Sequence, residues 1–128
     1  KHTIKWSHFY KWKNLEFSLG WLWHNGKPFT QVNITNNPDG TVDYSFSRLN
    51  NKHLPVYHRM DFSAVYDFKP HKNKTIKYRL GLSVFNLYNR KNILNKDIRF
   101  SNVLSNELNI SDVEATQITP NLVFRIFW

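Results

Sequence analysis

The chain has no cysteine, which excludes both a disulfide framework and a thiolate metal site. Carboxylates are scarce, 9 Asp and Glu against 18 Lys and Arg, giving a formal net charge of +9 and a pI of about 9.9. Such a balance selects anionic neighbours: nucleic acid, acidic lipid or lipopolysaccharide. No apolar run approaches 18 residues and the mean hydropathy is -0.57, which excludes a membrane-spanning helix. A membrane β-barrel is not excluded, because its strands place apolar residues only at every second position. Alanine is rare, asparagine is common and no low-complexity tract occurs, so helical signals are poor. Paired carboxylates at catalytic spacing, a nucleophile elbow, a phosphate loop and a zinc-protease helix are all missing; no enzyme, no cofactor and no metal site are expected.

What is present is aromatic. Trp, Tyr and Phe make up 16% of the 128 residues, which argues against disorder in a chain long enough for one ordinary domain. Five runs alternate with period two. Trp6, Tyr10 and Trp12 share one face of the first, with His8 among them, and Leu15, Phe17, Leu19, Trp21 and Trp23 share a face of the second. Met60, Phe62, Ala64, Tyr66 and Phe68 form the third, Tyr78, Leu80, Leu82 and Val84 the fourth, and Leu122, Phe124, Ile126 and Trp128 the last. This period predicts antiparallel strands, hence an all-β chain. Pairing across the Lys13-Asn14 turn sets Tyr10 opposite Phe17 and Trp6 opposite Trp21. Pairing across a compact turn at Lys69–Thr75 sets Tyr66 opposite Leu80 and Asp67 opposite Arg79. Polar stretches at Asn25–Pro55 and Arg90–Asp112 read as long loops.

The two faces differ in kind. The apolar face carries Trp and Tyr toward strand ends: Trp12, Tyr66, Tyr78 and Trp128 on the short-turn side, and Trp6, Trp21, Trp23 and Tyr88 on the long-loop side. Smaller Leu19, Leu82 and Ala64 lie between. Two aromatic girdles around an aliphatic band match the two lipid–water interfaces. Leu15 to Trp23, at about 3.3 Å per residue and tilted by about 40°, spans roughly 20 Å, near the height of such a band. The opposite face holds Glu16, Arg59, Asp61, Asp67, Arg79 and Arg125 with Gly and Ser, suited to a wet or plugged lumen. Arg59, Asp61, Asp67 and Arg79 are therefore candidates for contact with a plug or ligand, or else wall ion pairs. Alternation keeps Lys5 and Lys11 off the face of Trp6 and Tyr10, so nucleic acid is not expected as a partner. A soluble all-β module binding glycan or single-stranded nucleic acid is the competing expectation.

Five strands cannot close a membrane barrel, for which about eight is the minimum. With Lys1 followed by no signal-peptide core, the chain is expected to be the end of a longer polypeptide, or else a split subunit that supplies strands to a partner's barrel.

Four segments resemble those of TonB-dependent outer-membrane receptors. Trp23-His24-Asn25-Gly26-Lys27-Pro28-Phe29-Thr30 resembles their SGKPYT segment, and Leu54-Pro55-Val56-Tyr57-His58-Arg59-Met60-Asp61-Phe62-Ser63 is similar to their LPxYHRLDLS strand opening. Leu82-Ser83-Val84-Phe85-Asn86-Leu87-Tyr88-Asn89-Arg90-Lys91-Asn92 resembles their SVxNLYNRKN strand. Ile118 to Trp128 resembles their terminal strand, with Trp128 where Phe is commoner. The resemblance implies an antiparallel transmembrane β-barrel of the 22-stranded type, of which this chain is the last five strands. It also implies residence in the outer membrane of a Gram-negative bacterium, and uptake of a scarce ligand such as an iron chelate, cobalamin or an oligosaccharide. The implied partners are the rest of the barrel and its plug domain, TonB through the N-terminal part, the barrel assembly machinery, lipid and lipopolysaccharide, and a surface lipoprotein. Phe124, Ile126 and Trp128 would form the C-terminal signal read by that machinery.

Overall fold

Runs that alternate over eight to ten residues put their apolar side chains on one side only when the backbone is extended, and extended strands must pair their N–H and C=O groups with neighbours. The computed structural model describes residues 2–69, 75–100 and 108–128, and among these every regular element is a strand. In chain order they are β1 (Thr3–Trp12), β2 (Leu15–His24), β3 (Pro28–Phe29), β4 (Val32–Asn36), β5 (Val42–Phe46), β6 (Lys52–His53), β7 (Tyr57–Phe68), β8 (Lys77–Phe85), β9 (Ile93–Phe100), β10 (Leu108–Glu114) and β11 (Thr119–Phe127). The chain divides into two units, Lys1–His24 with His58–Lys91 and Thr116–Trp128, and Asn25–Tyr57 with Asn92–Ala115.

The first unit is built on an open five-stranded sheet in the order β1-β2-β7-β8-β11. Its register is the one expected from alternation: Trp6 opposite Trp21 and Tyr10 opposite Phe17, then Tyr66 opposite Leu80 and Asp67 opposite Arg79. β11 extends the match, with Leu82 opposite Leu122 and Leu80 opposite Phe124. β2 pairs with β7 as its sheet neighbour; beside that pairing the Asp67 N–H donates to the carbonyl of Asn14 in the turn before β2 at 2.9 Å, and the Ser18 and Ser63 hydroxyls lie 2.7 Å apart. Lys13, in the β1–β2 turn, takes a left-handed φ of 53°, a strained state for a residue with a Cβ. The compact turn expected at Lys69–Thr75 has residues 70–74 outside the described residues.

The apolar face of this sheet is uncovered. Among the described residues of the first unit no hydrophobic side chain is buried; Trp12, Phe124 and Leu122 expose 55%, 56% and 70% of their surface. The face is ordered nonetheless. Tyr66, Phe68, Tyr78 and Phe124 form a continuous row of stacked rings with centroids 5.6, 5.2 and 5.9 Å apart, crossing three strands near the short-turn end.

The one fully buried side chain among the described residues of the first unit is polar. Asn86 follows β8 directly at φ 53°, and Asn is among the few residues that tolerate this region, because its side chain can bond locally. Its amide nitrogen donates to the carbonyls of Arg90 and Thr116 at 2.8 and 3.2 Å, and its oxygen accepts from the Arg90 N–H at 3.1 Å. Its own N–H donates to Asp61 Oδ1 at 3.0 Å, and its neighbour Leu87 donates to the Met60 carbonyl. One residue thus ties β7, the turn after β8 and the approach to β11.

The second unit corrects one expectation. The polar stretches read as long loops carry three two-stranded sheets, β3 with β6, β4 with β5 and β9 with β10. Their strands are short and dense in Asn, but the pairing still aligns apolar positions: Ile34 faces Tyr44 and Ile98 faces Ile110. Residues 101–107 of the second stretch lie outside the described residues. Val32, Leu54 and Tyr57 are the buried hydrophobic side chains among the described residues. Gly26 is also buried, and a Cβ there would collide with the Leu54 carbonyl. At the β4–β5 tip the Thr41 hydroxyl, then its backbone N–H, bond Asp39 at 2.7 and 2.9 Å and hold that carboxyl below its ordinary value. This contribution is present above the ordinary carboxylate range and is lost as pH falls through the lowered value.

Glycine positions separate the two units experimentally. Gly26→Ala is expected to cost about 2 kcal/mol or more, since backbone must move to admit the methyl group. Gly20→Ala meets nothing within 4 Å and is expected to be neutral. Urea unfolding midpoints of the two variants, each set against the unsubstituted chain, check this.

Candidate functional site

Chemistry-bearing side chains collect on the face of the sheet opposite the aromatic row. On β7 the odd positions Arg59, Asp61, Ser63, Val65 and Asp67 point this way, and on β8 Lys77, Arg79, Gly81, Ser83 and Phe85, as period two requires. All four residues singled out for plug or ligand contact therefore share one face. They do not form one site. Arg59 and Asp61 pair toward the start of β7, Arg59 donating from Nε at 3.0 Å and from a terminal nitrogen at 2.8 Å. Asp67 and Arg79 pair at the other end, in a fork with contacts of 2.6 and 2.7 Å.

Each pair is held by more than charge. Asp61 uses one oxygen for Arg59 and the other for the Asn86 N–H, so it belongs to the buried asparagine network. The Arg59 guanidinium lies 5.4 Å from the Phe85 ring centre, and that of Arg79 lies 5.8 Å from Phe127, contacts favourable to a cation. Asp67 supplies both carboxylate oxygens to Arg79, the strong bidentate geometry, and its backbone N–H to Asn14. Both are ion pairs within the plane of the sheet. The third acid of the face, Glu16, accepts from Lys11 Nζ at 2.7 Å. With all three acids of the face engaged, Lys5, Lys77 and Arg125 form no direct ion pair among the described residues. The face carries net positive charge.

Concavities are shallow. One of about 270 Å³ lies on this face against Asp67, Lys77, Arg79 and Phe127. In the second unit a groove of about 250 Å³ is lined by Phe29, Thr30, Gln31, Val32, Lys96, Ile98 and Ile110, with Lys96 ion-paired to Asp112 across β9 and β10. Among the described residues no three His, Asp or Glu side chains are placed to hold a metal ion.

The expected interface aromatics sit as follows. Trp6 stacks on His8 with ring centres 6.0 Å apart, and Trp12 carries the Lys13 ammonium 5.5 Å from its ring centre. Trp21 and Trp23 are half-buried on β2. Tyr66 and Tyr78 belong to the stacked row. Tyr88 lies in the turn after β8 with its ring edge-on to His58 at 5.6 Å. Of the proposed C-terminal signal, Phe124 and Ile126 lie on the apolar face of β11, and Trp128 follows the strand with 91% of its surface exposed. Reasoning from the sequence missed Asn86 as an organising residue. Its signal was the pair of asparagines in Asn86-Leu87-Tyr88-Asn89, both at positive φ, where Asn89 Oδ1 also accepts the Ile118 N–H at 3.0 Å.

Because Asp67 and Arg79 are each more than a third exposed, Asp67→Asn is expected to cost only about 0.5–1 kcal/mol after solvent screening. The charge swap Asp67→Arg with Arg79→Asp should recover part of it, and a double-mutant cycle on unfolding free energies measures that coupling.

Comparison with protein-family models, with curated proteins and with solved structures gives no match for this chain.

Proposed function

We propose that this chain is the C-terminal part of the β-barrel wall of a TonB-dependent outer-membrane receptor, a scaffold and ligand-capturing surface rather than a catalyst. The observation that carries this reading is the uncovered apolar face of the first unit, which exposes Trp12, Tyr10, Trp6, Leu122 and Phe124 about half or more. Left in water, such a face forgoes on the order of 1 kcal/mol for each large half-exposed side chain and forms an apolar patch unlike those of soluble monomers. Lipid is the solvent that suits it, with the ring row at one interface and Lys13 over Trp12 beside it, a pairing typical of headgroup depth. The four receptor-like segments, in family order along the chain, add the family to that reading.

In this reading the aromatic face anchors the wall, the charged face supports a plug, and the hairpins of the second unit meet ligand outside the cell. The working protein includes strands and a plug beyond this chain, and TonB engages it through an N-terminal part. An iron chelate, cobalamin or an oligosaccharide is the class of cargo such receptors import. Uptake draws on the inner-membrane proton gradient.

The deciding measurement is fractionation with an antibody raised against the C-terminus. A band in the outer membrane several times heavier than 15.4 kDa is expected. The same epitope in a small, monodisperse, water-soluble species would overturn the reading. Within the membrane, Leu82→Lys on the aromatic face is expected to destabilise the folded barrel by about 2–4 kcal/mol, whereas Ser83→Lys on the opposite face stays near neutral. Urea titration in lipid vesicles, read by tryptophan fluorescence, tests the difference; equal effects at the two positions would contradict a lipid-facing assignment.

A further inference from the structure

A row of charges crosses the polar face in register. Asp67 is opposite Arg79 between β7 and β8, and Arg79 is opposite Arg125 between β8 and β11. Two guanidinium side chains thus occupy directly facing positions, an arrangement that destabilises a strand pair unless each charge is met. Asp67 meets one of them, since both its oxygens are engaged by Arg79 at 2.6 and 2.7 Å. Asp61 and Glu16 are taken by Arg59 and Lys11. Arg125 has no carboxylate partner among the described residues. It lies on β11, at one edge of the sheet, where the far side of the strand presents a line of backbone N–H and C=O groups ready to pair.

We propose that the free edge of β11 accepts a further strand that sets an Asp or Glu opposite Arg125, completing the row as acid, base, base, acid. This rests on the barrel-wall reading only in treating β11 as a strand that is paired on both sides in the working protein. A second copy joined through its own five-stranded sheet does not fit the requirement. The edges of that sheet are β1 and β11, and neither Thr3–Trp12 nor Thr119–Phe127 contains a single Asp or Glu. Pairing two such sheets edge to edge brings only basic or neutral side chains to Arg125. The occupant is therefore a strand different in sequence from β1 and β11, with a carboxylate on its inward-facing side.

The test uses the 128-residue chain in detergent micelles and three fluorescent nine-residue peptides of alternating pattern, identical except for an inward central Glu, Gln or Lys. Fluorescence anisotropy measures binding. The Glu peptide is expected to bind about two- to five-fold tighter than the Gln peptide, and the Lys peptide weaker than Gln by a similar factor. Arg125→Gln should level the three, and Arg125→Glu should reverse their order; circular dichroism verifies that these exposed-site variants keep their strands. Equal binding of the three peptides, no binding, or an order that Arg125→Glu leaves unchanged would overturn the proposal. The last outcome covers capture at the β1 edge, where Lys5 would favour the same Glu peptide. Failure of the barrel-wall reading is distinguishable. A chain that stays monodisperse in water without detergent, yet reverses its preference with Arg125→Glu, keeps the strand-accepting edge and loses the membrane.

Discussion

Cross-strand register is the constraint on which the five-stranded sheet depends. Side chains alternate with period two, so a slip of one residue between any two strands would turn a whole strand's aromatics onto the charged face. Three kinds of contact hold the alignment. The Asp67 N–H is anchored to the turn carbonyl of Asn14, the Ser18 and Ser63 hydroxyls meet across β2 and β7, and Asn86 ties β7 to the turn after β8 and the approach to β11. The Asn86 network matters most, because its central side chain is wholly buried and every bond in it is directional. Removal of its side chain would leave backbone groups of Arg90 and Thr116 without that partner, in a place where unmet polar groups are costly.

Given that register, the sheet has two faces of opposite character and covers neither. On one, rings from three strands stack into a row whose order comes from aromatic geometry rather than burial. On the other, each acid is engaged by a base and positive charge remains. A soluble β-sandwich would pack a second sheet against the first of these faces. The buried hydrophobic side chains that are present, Val32, Leu54 and Tyr57, belong to the second unit. The directional contacts of the five-stranded sheet, Asp67 with Arg79, Arg59 with Asp61 and Ser18 with Ser63, run within the plane of the sheet.

The second unit obeys different physics. Its hairpins are stabilised by short local bonds, such as the Asn37 amide donating to Thr41 and Asp43, and by close backbone approach at Gly26. Such segments tolerate polar sequence because their hydrogen bonds are made within the hairpin itself. This is also why they read as loops: Asn33 and Thr35 flank Ile34 in β4 and Asp43 separates Val42 from Tyr44 in β5, so the apolar signal is thin and each run is short.

The sequence by itself determined the all-β class, the five long strands, which residues share a face, and the facing of Tyr10 with Phe17 and Asp67 with Arg79. These follow from period two and from turn length, both local properties of the chain. The tertiary structure decided what lies beyond local order. It placed β7 beside β2 across more than thirty intervening residues, and it split the four charged candidates into two separate ion pairs instead of one site. It also made Asn86 the buried centre of a network and set Arg125 against Arg79 at an open edge. None of these is written in alternation, because each depends on which strand becomes a neighbour, and that is settled by non-local pairing and by directional bonds between residues far apart in the chain.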